Sequence, residues 1–158
     1  MNIKKFANDI ANIHDTRNPF HIAAENDIHI LYEELGKNLG YFSNLFRIKT
    51  IRINDHADPF LQPFICAHEL GHALLHPHAG THAFNRNSFI ANCKIEKEAN
   101  QFAVELLFPD ELIACHPETD IYNLARTFGI PYQLVYLKSI SHLSLIHISE
   151  PTRPLYIS

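Results

Sequence analysis

The chain of 158 residues predicts an α+β fold, a small antiparallel sheet packed on a metal-binding pair of helices with a helical hairpin at the C-terminal end. Three observations predict it. β-Branched and aromatic runs bounded by Gly and Asn-Asp turns cluster between residues 27 and 55. Apolar residues recur at helical spacing on both sides of that cluster. His68-Glu69-Leu70-Gly71-His72 lies in the otherwise apolar stretch 64–75, so two imidazoles sit one helical turn apart on one face.

Taken in order, Ile3, Phe6, Ala7, Ile10 and Ile13 predict an amphipathic helix ending near His14, and Asn18-Pro19 predicts the turn after it. Segments 28–32, 40–42 and 46–54 predict three strands. Pro63 is tolerable only in the first turn of the next helix, and His76-Pro77 ends that helix. Residues 80–92 have no period and predict a loop. Ile95, Ala99, Phe102, Ala103 and Leu106 form one face of a second long helix over 94–108, stopped by Pro109. Shorter helices are expected near 111–115 and 120–128, and Pro131 opens a last one.

The formal charge of −4 leaves no basic surplus for nucleic acid or an anionic membrane. No run is long and apolar enough to span a bilayer, and the opening residues break their apolar run too early for a signal peptide. A cytoplasmic location is the expectation. Cys66, Cys93 and Cys115 are odd in number and lack CxxC spacing, so neither a disulfide framework nor a thiolate metal site is indicated. Residues 143–153, LSLIHISEPTR, resemble the in-frame translation of a transposase adapter used in preparing sequencing libraries. One domain over 1–142, followed by an artefactual tail over 143–158, is therefore expected.

The apolar setting gives HELGH its force. Two imidazoles and a carboxylate on a buried helix are costly unless paired or bound to metal, and HExxH spacing lets His68 and His72 converge on one Zn²⁺ with Glu69 beside it. A tetrahedral hydrolytic zinc needs one more protein ligand and a water position. His76 lies about 6 Å further along the same helix. His78 stands where HExxHxxGxxH enzymes carry their third histidine, but Leu75 replaces the glycine that turns the chain there. On the second helix, Glu96 and Glu98 border the apolar stripe on opposite edges, and periodicity does not choose between them.

The run FICAHELGHALLH at 64–76, joined to EKEANQFAVELLFP at 96–109, resembles the ImmA/IrrE family of metallo-endopeptidases, with its HELGHxLLH and ExEANxFAxxLLxP patterns. The likeness covers roughly residues 41–138. It implies a zincin-like fold, Zn²⁺ held by His68, His72 and Glu98, and Glu69 as general base of peptide hydrolysis. It also implies a helix-turn-helix repressor of a phage or mobile element as protein partner. Arg86, His82 and His76 are conceivable oxyanion helpers, and strand 48–54 is expected to offer its edge to an extended substrate.

Two other functions are weighed against this one. A zinc-stabilised antirepressor could relieve repression by docking without cutting, although it has no need of Glu69. Residues 120–138 have helix-turn-helix spacing around Gly129, but their reading helix carries one cationic side chain, which makes direct nucleic-acid binding a weak alternative.

Overall fold

The computed structural model describes residues 1–79, 83–90 and 93–138. The tail over 143–158 and His82 lie outside them. Strands β1 (Ile28–Glu33), β2 (Gly40–Leu45) and β3 (Ile48–Asn54) form a sheet of order β1-β3-β2. The sheet is mixed, not antiparallel as expected: β2 pairs with β3 antiparallel across the two-residue turn Phe46-Arg47, whereas β1 pairs with β3 in parallel. β3 carries the fully buried Ile51 and Ile53 and takes the centre, where both of its edges are hydrogen-bonded. It therefore has no edge to offer a substrate, contrary to the expectation for strand 48–54. The outer strands are β1 and β2.

Helix α1 (Ile3–His14) is capped by Asn2, whose side chain accepts from the Lys5 amide. Asn18-Pro19, expected as a turn, instead starts α2 (Pro19–Glu25). The Asn18 side chain accepts from the Phe20 and His21 amides, and the ring of Pro19 suits the first helical position. α3 (Gln62–Leu75) and α4 (Lys94–Leu107) pack along each other, α3 lies on β2 and β3, and α1 covers the other side of α4. Arg17 donates to the Glu105 and Leu106 carbonyls near the end of α4, where carbonyls have no helical partner.

α5 (Asp110–Ala114) and α6 (Ile121–Thr127) follow. The expected last helix is a 3-10 segment, Tyr132–Leu137, so the C-terminal hairpin pairs an α-helix with a 3-10 turn and offers no second α-helix for a groove. Gly129 makes the turn with φ +76°, and a Cβ there would lie 2.7 Å from the Phe60 carbonyl oxygen. The expected loop over 80–92 contains a second 3-10 segment, Arg86–Ile90, and an antiparallel bridge from Phe84 to Gly40. Among the described residues no helix is long and apolar enough to cross a membrane.

Candidate metal site

The inner face of α3 brings His68 and His72 together with their Nε2 atoms 3.2 Å apart. Glu96, in the first turn of α4, reaches both: its carboxylate oxygens lie 3.1 Å from His68 Nε2 and 3.1 Å from His72 Nε2. Ligand atoms of His68, His72 and Glu96 all fall within 4.8 Å of one another, and all three residues are buried.

Glu98, implied by the resemblance as third ligand, is not in this group. It pairs with His76, Oε1 to Nε2 at 2.7 Å. The reason is helical geometry: position 98 is about 200° around the helix from 96. Glu96, Ala99, Asn100 and Ala103 form the face turned to α3, at spacings of three and four. His76 follows the last helical residue of α3, and Glu98 meets it there, at the edge of the interface. His78 is exposed and outside the group.

Two glycines make the geometry accessible. A Cβ on Gly71 would lie 3.1 Å from Phe102 Cδ2 and 3.3 Å from the Ala99 Cα, so the glycine lets α4 approach closely enough for Glu96 to reach across. A Cβ on Gly40 would lie 2.7 Å from Ile65 Cγ2 and 2.8 Å from the Arg52 carbonyl oxygen, so Gly40 seats β2 against α3 beside Glu69.

A hydrogen-bond chain fixes which nitrogen of His68 faces the group. Asn100 Nδ2 donates to the Ser88 carbonyl, which turns Asn100 Oδ1 toward His68 Nδ1 at 2.8 Å. Nδ1 must therefore carry the proton, and in the neutral ring Nε2 presents a lone pair to the Glu96 carboxylate. Glu96 Oε1, buried and 3.1 Å away, makes no hydrogen bond of normal geometry. Two acceptors aimed at each other in an apolar interior call for a cation between them, and N/N/O donation suits a divalent transition metal. The Phe84 ring stacks on His68 with centroids 3.9 Å apart and completes the wall.

Burial pushes the His68 imidazole down to about 4, so the ring is neutral, the form that binds metal. Burial acts the other way on Glu96, but the two imidazoles against it hold its carboxyl well below the usual carboxylate range. Glu69 is fully buried and neither of its carboxylate oxygens has a hydrogen bond of normal geometry. Burial and the nearby Glu96 charge push its pKa well up, and the Phe42 backbone opposes this weakly. Burial, and then the Glu69 charge, raise the Cys66 thiol as well, which suits its expected part as a small hydrophobe on α3.

Of the helpers considered from sequence, His76 stands beside His72 with ring centroids 5.7 Å apart. Arg86 lies on a separate cleft with Phe60, Tyr122 and Arg126, whose walls include none of His68, His72 and Glu96. Asn100 was not anticipated. Its signal was a polar residue four positions after Glu96 on the apolar face, where a buried amide needs a partner.

A buried His/His/Glu group shared by two helices over a small sheet is a candidate metal site. The chain belongs to the ImmA/IrrE family of metallopeptidases: residues 23–139 match the IrrE N-terminal-like domain, which also takes in β1 and the end of α2. It is 36% identical over 131 residues, 81% of this chain and 83% of the relative, to the uncharacterized immunity region protein 2 of Bacillus phage phi105. It is 30% identical over 111 residues, 70% of this chain and 66% of the relative, to the metallopeptidase ImmA of Bacillus subtilis (strain 168).

Proposed function

We propose that the chain is a zinc-dependent endopeptidase whose metal is held by His68, His72 and Glu96, with Glu69 as the general base. The observation that carries the reading is the pairing of three converged donors with a buried carboxylate that has no good partner of its own. When bound, Zn²⁺ supplies an activated water near neutral pH and polarises the scissile carbonyl.

The chain's own residues do the rest. Asn100 holds His68 in the tautomer that turns Nε2 inward. Glu69, buried and next in the chain to His68, is placed to accept a proton from the attacking water and return it to the leaving amine. β2 supplies main-chain recognition. Gly40 N and O both face Phe84, so by the alternation of an antiparallel pair the amide and carbonyl of Phe42 and Asn44 also point away from β3. An extended substrate laid along β2 would lie near Glu69, since Gly40 of β2 packs beside that side chain.

The substrate in this reading is a helix-turn-helix repressor of a phage or mobile element, cut in the cytoplasm. The name of the phage phi105 relative, an immunity region protein, supports that choice. The test is incubation of the zinc-loaded chain with the repressor encoded beside it. Zinc-dependent cleavage that disappears in Glu69→Gln is expected. Equal derepression by Glu69→Gln would replace the protease with a docking antirepressor.

A further inference from the structure

A cleft stands apart from the metal group, between the loop that leads into α3, the 3-10 segment Arg86–Ile90 and the C-terminal hairpin. Its volume is about 480 Å³, within the roughly 300–1,000 Å³ usual for small-molecule sites, and none of His68, Glu69, His72 and Glu96 lines it. Gly129 packs the hairpin against the Phe60 carbonyl, which joins two of the three walls.

The lining is divided in character. Buried Phe89 and Ile130, with half-buried Leu61, give an apolar base. Aromatic surface stands above it: the Tyr122 and Tyr132 rings lie with centroids 5.3 Å apart, and Tyr132 and Phe60 are 45% and 56% exposed.

The charged lining residues are Arg86, Arg126 and Asp58. Asp58 Oδ1 is occupied by the Phe60 amide, and Arg126 is steadied by a neutral partner, Nη2 donating to Asn123 Oδ1 at 2.6 Å. Neither arginine forms an ion pair among the described residues. That is unusual in a chain where acids outnumber bases by 17 to 13 and where Arg52, Lys4 and Lys138 all meet carboxylates. Two guanidiniums against one carboxylate leave the cleft one positive charge in excess, matched to one anionic head.

We propose that this cleft binds a small aromatic anion, a planar ring carrying a single carboxylate or phosphate group. The ring lies on Phe89 and Ile130 beside the exposed aromatics, and the head meets the forked donors of Arg86 and Arg126. A bare inorganic ion would leave the apolar base unused, and a neutral ring would leave the guanidiniums unpaired. The volume encloses a ring and its head, whereas an extended peptide needs a groove that runs on at both ends.

The test titrates phenyl phosphate and phenylacetate into the full chain with and without zinc, with inorganic phosphate and acetate as the corresponding bare heads. Calorimetry gives affinity, and NMR follows the ring protons of Tyr122 and Tyr132. Saturable binding that moves both tyrosines is expected, with the better aromatic probe at least about tenfold tighter than its bare head. Whichever aromatic probe binds tighter assigns the head as phosphate or carboxylate. Arg86→Gln and Arg126→Gln alter exposed side chains, so each should weaken binding about tenfold while Tm stays within about 2 °C of wild type. The tyrosine shifts are expected in both zinc states, so the cleft is tested even if the chain cleaves nothing. No saturable shift, equal affinity for the bare head, or undiminished binding in both arginine variants would overturn the proposal. An acidic, Phe-containing nonapeptide that binds there about tenfold tighter than both aromatic probes would also overturn it, in favour of a surface for a protein chain.

Discussion

Exchanging the carboxylates of α4 one at a time separates a ligand from a neighbour. Glu96→Gln keeps the size of the side chain but removes the charge that lies 3.1 Å from each imidazole nitrogen. Even groups that only orient a metal ligand alter affinity by about 10–100-fold, so loss of a direct ligand should weaken zinc binding about 100-fold or more, roughly 2.7 kcal/mol. At a zinc concentration about 1,000 times the wild-type Kd, the metal contributes about 4 kcal/mol of stability, of which Glu96→Gln should keep only about 1.4. The metal-linked rise in Tm should shrink by about 5–10 °C.

Without metal the sign reverses. The amide introduced by Glu96→Gln can donate to the lone pair of His68 Nε2, which the native carboxylate cannot, so the zinc-free variant should melt no lower than the zinc-free wild type. Glu98→Gln touches a pair at the edge of the interface, with side chains 13% and 27% exposed, and should cost under about 1 kcal/mol with zinc affinity within about threefold of wild type. Chelator-competition titration and thermal melts with and without zinc measure both. Zinc affinity lost in Glu98→Gln and kept in Glu96→Gln would refute the assignment.

Three further outcomes follow from the same geometry. His68 is held neutral, with its pKa down to about 4 against an unfolded value near 6.5, so below pH 6.5 the unfolded chain binds more protons than the folded one. The zinc-free protein should therefore lose about 3 kcal/mol as pH falls from 6.5 to 4, and urea melts in which His68→Gln shows the same slope would contradict this. Asn100→Leu should weaken zinc binding about 10–100-fold, read by chelator competition, because His68 loses the acceptor that sets its tautomer. Lys138 ties the C-terminal 3-10 segment to α4 and α5 through Glu105 at 2.7 Å and Asp110 at 2.8 Å, with its side chain 1% exposed. Lys138→Met should cost about 3 kcal/mol in denaturant unfolding because the buried Glu105 carboxylate loses this ammonium, whereas Asp110 keeps Lys4, and a change under about 1 kcal/mol would argue against the network.

Local pattern was enough for much of this protein. The apolar spacing of Ile3, Ala7 and Ile10 marks α1 to its observed end at His14, and turn residues around Gly36, Gly40 and Asp55 mark three strands, although Phe46 and Arg47, expected inside the third, form the turn after a longer β2. HELGH within an apolar run placed His68 and His72 on one buried helical face, because that depends only on the 3.6-residue period. What periodicity could not carry was any choice between elements. Nothing local told whether β3 pairs with one strand or two, and burial of Ile51 and Ile53 decided that it takes the centre and leaves β2 as the edge beside Glu69. Glu96 and Glu98 are equivalent borders of a stripe until α4 is set against α3. The closeness permitted by Gly71 fixes the rotation of α4, and that rotation turns Glu96 to the histidines and leaves Glu98 to His76. A helix's own sequence defines its faces, whereas the residue that reaches across is settled by where the neighbouring backbone comes to rest.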